Sequence, residues 1–244
     1  PTGARSLLKK LAAPAMGTPL MKSARKHLLE IEAFKASGAA GTVYVGVGLT
    51  ATGYAALGTS APTPGDPAFV GGMKNAALND PPVTQWDAHF RGQIDAVILI
   101  GDAKKSSHDA ALTKVRAMIN AASGVTELAR ERGLSQINAN GDGIEHFGYV
   151  DGRSQPLFLT EEIEDERLNN DGTTVWNPAF ALSRAIVPDP ASPSPVKHFG
   201  SYFVFRKLEQ NVKLFKREEG KLATRLGLKG GDKERAGALI IGRF

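Results

Sequence analysis

The chain has 244 residues, 42% hydrophobic and 23% charged, which suits one large domain or two of ordinary size around a buried core. Its net charge of +5 arises from 30 Lys and Arg scattered among 25 Asp and Glu, with no basic arm or stripe, so nucleic-acid binding is not expected. There is no cysteine, which excludes disulfides, thiolate metal ligation and a cysteine nucleophile while leaving the compartment open, and no apolar run approaches the roughly 18 residues of a membrane span.

Leu20, Ala24, Leu28, Ile31 and Phe34 recur at helical spacing, which predicts an amphipathic helix closed by Gly38. Thr42–Leu49, rich in β-branched and aromatic residues, reads as a buried strand. A short helix ending at Gly58 follows, then a loop rich in proline and glycine from Ala61 to Pro82 and a second strand over Ile94–Ile100. Ser106 is the expected cap of a long helix, with Asp109 completing a capping box, Ala111, Val115, Met118, Ile119 and Ala122 on the packed face, and Lys114 and Arg116 in solvent. Gly124 or Gly133 would close it.

After a loop at Asn138–Gly143 comes Glu-His-Phe-Gly-Tyr-Val-Asp-Gly-Arg-Ser-Gln-Pro, residues 145 to 156, which sets Asp151 in a turn flanked by glycines. Such a turn lets backbone approach a bound group closely, although Asp-Gly is also an ordinary hairpin turn. Residues between Pro156 and His198 show little periodicity and read as a long irregular segment. Ser201–Arg206 reads as a third strand, and Leu208, Val212, Phe215, Leu222 and Leu226 mark a final helix. No short-period repeat is present. The element order suggests two α+β units in place of a parallel doubly wound sheet.

The string from Glu145 to Pro156 resembles the signature of the dye-decolorizing peroxidases. The blocks Leu49–Gly58, Asp80–Asp87, Gly200–Gln210 and Ile240–Arg243 are similar to that family's in the same order. The resemblance implies an α+β fold of two ferredoxin-like domains of the dimeric α+β barrel type, the second incomplete here. Residues 1–156 would form the N-terminal domain, 157–199 an irregular connection and 200–244 the start of the C-terminal haem-binding domain. It further implies a haem peroxidase (heme b) that reduces hydrogen peroxide and oxidises an organic electron donor such as a dye or phenolic compound.

In that reading Asp151 is the distal acid–base group, and Gly152, Arg153, Ser154 and Gln155 meet the porphyrin edge or propionates. Arg206 and Arg243 are further propionate candidates, with an ordinary structural salt bridge as the plain alternative for each, as a surface ion pair is for Arg153. Trp86, Trp176, Tyr54, Tyr149 and Tyr202 are candidates for surface electron transfer, with packing as the commoner role of such residues. The family takes its proximal haem ligand from a histidine beyond the block ending at Arg243, and its distal arginine from further on. All five histidines here, His27, His89, His108, His146 and His198, precede that point, so no metal ligand is assigned within the chain. His146 is expected to orient the signature loop by a hydrogen bond. A start at Pro1 and an apolar run ending at Phe244 fit one piece of a longer or cleaved protein, completed by a C-terminal polypeptide that carries the proximal His and distal Arg. A non-catalytic haem-binding or assembly module with the same fold is the alternative.

Overall fold

The computed structural model describes residues 2–13, 19–58, 60–151, 155–169, 177–192, 194 and 196–242. They fall into two compact units, the first Pro1–Arg130 with Pro188–Phe203, the second Glu131–Val187 with Val204–Phe244.

In the first unit, α1 (Thr2–Ala12) places Leu7 and Leu11 one turn apart on a single buried face. The sequence reading passes over this helix. Helix α2 (Ala24–Ser37) begins where the Ser23 Oγ accepts the Lys26 N–H at 3.2 Å, and it ends at Gly38, whose φ of 70° permits the left-handed cap. The predicted apolar stripe of α2 is present, but Leu28, Leu29 and Phe34 are exposed. Strand β1 (Tyr44–Leu49) follows, then α3 (Ala51–Leu57), α4 (Pro67–Gly71), α5 (Ala88–Arg91), β2 (Ala96–Gly101) and α6 (Lys105–Asn120).

Strands β1 and β2 pair antiparallel with Val45 opposite Ile100, Val47 opposite Ile98 and Gly46 opposite Leu99. The two-residue period sends Val47, Ile98 and Ile100 toward the cluster of Leu7, Leu11 and Val115, and leaves Val97 and Leu99 on the open face. Helix α6 carries the expected buried positions Ala111 and Val115, with Lys114 and Arg116 exposed. Its start differs from expectation. Lys104 occupies the cap, Asp102 accepts the Lys104 N–H at 2.6 Å, and Asp109 turns to Lys105 and His108, so no capping box forms at Ser106.

In the second unit, β3 (Gln136–Ile137) and β4 (Gly143–Ile144) form a short hairpin whose turn is held by the Asn138 Oδ1 accepting the N–H groups of Asn140 and Asp142 at 2.9 Å. Helix α7 (Thr160–Asn169) lies in the stretch read as irregular; all its residues but Ile163 and Leu168 are polar, which erases the periodicity that reveals a helix. Helices α8 (Val212–Arg225) and α9 (Glu234–Ile241) pack together, and α8 is the helix predicted from Leu208 to Leu226. Ser201–Arg206 forms no strand: the β composition is there, but a strand requires a ladder, and these residues have no ladder partner among the described residues. No helix among the described residues is long and apolar enough to cross a membrane.

Candidate functional site

Asp151 stands at the end of a loop built on the β3–β4 hairpin. Val150 pairs antiparallel with Ile144, and the Asp151 N–H donates to the Gly143 carbonyl at 2.8 Å, so β4 is flanked by β3 on one side and by the backbone leading into Asp151 on the other. Between these strands the chain reverses tightly. The Glu145 N–H donates to the Tyr149 carbonyl at 3.1 Å, the Gly148 N–H donates to the Glu145 carbonyl at 2.9 Å, and Gly148 has φ +96°, a conformation that a side chain would strain.

The Glu145 carboxylate organises this reversal from inside. It accepts the Phe147 N–H at 2.6 Å, the Tyr149 N–H at 2.9 Å and the Gln210 Nε2 at 3.1 Å. Phe147 stacks on Phe215 of α8 with centroids 4.1 Å apart, and Tyr149 meets the same ring edge-on at 6.1 Å. The Tyr149 hydroxyl faces two acceptors, Glu219 Oε2 at 2.8 Å and the Glu234 carbonyl at 2.9 Å. Burial, reinforced by the hydrogen bond to Glu219, raises the Tyr149 pKa above the usual phenol value, so the hydroxyl remains a donor. Asp151 is an exposed residue at the end of this loop, whose backbone is fixed from its interior.

Of the other sequence-derived candidates, Gln155 and Arg206 are exposed members of this same unit. Gly152, Arg153, Ser154 and Arg243 lie outside the described residues, as does Trp176. His146 holds the Gln136 Nε2 with its Nδ1 at 2.6 Å, a contact between the loop and β3 of the kind expected of it. His108 Nδ1 faces Asp109 at 3.0 Å and His198 Nδ1 faces Ser192 Oγ at 2.6 Å. Glu145 and Gln210 lie in the quoted blocks without a role expected of them, and no local signal marks Glu219, which meets Tyr149 across 70 residues of chain.

For a haem, these groups fit one side. Asp151, Gln155 and Arg206 are exposed residues of one unit, of the types that can carry a proton or bind a carboxylate. His108, His146 and His198 each place Nδ1 against a side chain of this chain. In the first unit, Tyr54, Phe69 and Tyr202 form a chain of aromatic contacts, and the Trp86 indole N–H is committed to the Pro81 carbonyl at 2.8 Å.

Residues 4–135 match the family described as the DyP dimeric alpha+beta barrel domain. The multifunctional dye peroxidase DyP2 of Amycolatopsis sp. (strain ATCC 39116 / 75iv2) is 57% identical over 227 residues, which covers 92% of this chain and 48% of that protein. A dye-decolorizing peroxidase of Mycena epipterygia is 32% identical over 177 residues, 70% of this chain and 32% of its own length. Among solved structures, DyP2 from the Amycolatopsis strain superposes with a TM-score of 0.89 at 54% identity, covering all of this chain and 51% of that one. A DyP-type peroxidase from Anabaena sp. gives a TM-score of 0.83 at 33% identity over 99% of this chain and 50% of its own. The chain thus spans about half the length of the Amycolatopsis and Anabaena proteins, and its match covers about a third of the Mycena one.

Proposed function

We propose that this chain, which belongs to the dye-decolorizing peroxidase family, contributes the distal proton-transfer loop of a haem peroxidase that consumes hydrogen peroxide and oxidises dyes or phenolic compounds. The observation that carries the proposal is Asp151, exposed at the end of a loop whose backbone is fixed by Glu145, Tyr149 and β4. A haem, when bound, supplies the iron that takes up peroxide and the electrons that cleave its oxygen–oxygen bond. Asp151 accepts a proton from the inner oxygen of the peroxide and returns it to the outer oxygen, which departs as water. Gln155 and Arg206, with Gly152, Arg153, Ser154 and Arg243, are proposed to hold the macrocycle edge and its carboxylates. Arginine suits that task because its donors form a fork.

The imidazole beneath the iron and the distal arginine are proposed to come from a complementary C-terminal polypeptide. Two features support a missing cover: the apolar residues on the open face of β1–β2, and the exposure of Val204 (65%) and Leu208 (63%) in the second unit. The three-part organisation into residues 1–156, 157–199 and 200–244 belongs to the same proposal.

Asp151→Asn tests the acid–base role. The haem spectrum of the complete protein should persist while reaction with peroxide slows by about 100-fold or more, measured by stopped flow. An unchanged rate contradicts the role. A haem spectrum with no peroxide-dependent dye oxidation in the unsubstituted protein favours the non-catalytic module. This chain expressed alone should bind haem poorly and regain a full Soret band when the complementary half is supplied.

A further inference from the structure

We infer that Tyr149 is a positioning residue: its hydroxyl ties the signature loop to α8 and α9 and thereby sets where the Asp151 carboxylate stands. The inference rests on the proposed proton-carrying role of Asp151 and adds to it the group that holds the carrier in place.

The tether has three parts. Its first is the acceptor: Glu219 is only 8% exposed, and Lys216 Nζ lies 2.9 Å from the same Oε2 that receives the phenol. A buried carboxylate without partners would be costly, so Tyr149 and Lys216 together account for why it is tolerated there. The second is the space: a Cβ on Gly237 of α9 would stand 2.0 Å from the Tyr149 hydroxyl and 2.4 Å from Glu219 Oε2, so the absence of a side chain at 237 is what admits the phenol between the helices. The third is the Lys216 ammonium, 4.8 Å from the centre of the Tyr149 ring, which favours the ring in this orientation.

The link to Asp151 is short. Tyr149 precedes Val150, which pairs with Ile144, and Asp151 itself is bonded to Gly143, so a shift at Tyr149 is transmitted through one paired residue to the acid. Glu145 shapes the loop internally through the Phe147 and Tyr149 N–H groups, whereas the hydroxyl of Tyr149 anchors that shape to the helices. A purely packing tyrosine would need only its ring. The positioning role needs the hydroxyl.

Tyr149→Phe separates these, because it keeps the contact with Phe215 and removes one oxygen. In the haem-loaded protein that contains this chain, Tyr149→Phe should slow the peroxide reaction roughly tenfold at unchanged Soret intensity, and should leave the rate of Asp151→Asn unaltered. Amide hydrogen exchange over 145–151 should quicken by roughly tenfold in Tyr149→Phe whether or not haem is bound. Glu219→Gln, whose amide oxygen still accepts the phenol, should hold the parent rate, while Glu219→Ala should match Tyr149→Phe. An equal loss in the parent and Asp151→Asn backgrounds, a loss matched by loss of haem, or unchanged exchange over 145–151 overturns the positioning role. A parent-like rate for Asp151→Asn alone instead overturns the acid–base reading itself, and the inference with it.

Discussion

Among the described residues, the buried hydrophobic side chains of the first unit are Leu7, Leu11, Val45, Ala111 and Val115, and those of the second are Ala223 and Ala236, with Glu219 enclosed on the same helix as Ala223. The first unit is therefore organised by aliphatic contact, which is non-directional and tolerates small shifts of its parts. The second is organised by directed bonds from Tyr149, Glu145 and Lys216, with Phe147 stacked on Phe215. Directed bonds fix orientation more tightly per contact. It is in the unit held that way that the loop carrying Asp151 is found, and the proton-carrying role proposed for Asp151 would benefit most from that kind of support.

The contrast can be broken most forcefully at Leu11, which has no exposed area and sits at the centre of the first unit's cluster. Leu11→Ala should cost about 2–5 kcal/mol in urea unfolding, through lost transfer energy and the cavity left behind. A cost below that range would mean that the aliphatic cluster does not organise its unit. In the second unit the matching experiment is Gly237→Ala, whose methyl would press on the Tyr149 oxygen. It should cost about 1–3 kcal/mol as an overpacking substitution. Adding Tyr149→Phe should recover part of that loss, since one of the clashing atoms is gone; strictly additive losses would show that the phenol is not what Gly237 accommodates.

The same contrast explains what was legible in the sequence. The strands β1 and β2, the caps Gly38 and Gly58 and the buried stripe of α6 follow from local periodicity and from glycine's conformational range, so these elements could be read, whereas the short helix α4 lies in the stretch read as loop. Ser106 misled because the helix begins earlier, with Lys104 at its cap, so that Ser106 already lies inside the first turn. Asp151 was legible as part of a string. Glu219 was not, because one glutamate in the charged surface pattern of α8 looks like any other until Tyr149 arrives from 70 residues away. Ser201–Arg206 shows the opposite failure, in which composition asks for a strand and the ladder that would complete it is not among the described residues.

If directed bonds matter chiefly in the second unit, the polar lock of the first should count for less than its core. That lock is Glu30, which pairs with Lys22 and accepts the Thr42 hydroxyl at 2.7 Å and the Thr42 N–H at 3.1 Å. The Lys22 ammonium, with the Thr42 hydroxyl, holds its carboxyl at about 2, below the ordinary 4.5. A carboxyl whose folded pKa is lowered stabilises the fold above its unfolded pKa and loses that contribution as pH falls, here from 4.5 toward about 2. Glu30→Gln should cost about 1–2 kcal/mol at neutral pH, less than Leu11→Ala, and should flatten the stability curve across that window. A cost equal to that of Leu11→Ala would erase the distinction between the two units.

Asp109 carries the smallest expected effect, and it isolates the reason. Its carboxyl is also lowered to about 2, by Lys105 first and then by His108, so on titration alone it resembles Glu30. The surroundings differ: the side chains of Lys22 and Glu30 are 5% and 18% exposed, whereas those of Lys105 and Asp109 are 79% and 40% exposed. Water and salt screen the second pair, and ordering two exposed side chains offsets most of what their attraction provides. Asp109→Asn should leave the thermal midpoint at neutral pH within the error of the scan, at both low and high salt. Carboxyl titration by nuclear magnetic resonance should nevertheless find both acids shifted downward. If Asp109→Asn instead destabilises the protein as much as Glu30→Gln does, enclosure is not what turns a shifted acid into stability, and the directed bonds around Glu219 would lose the physical basis on which the second unit's tether depends.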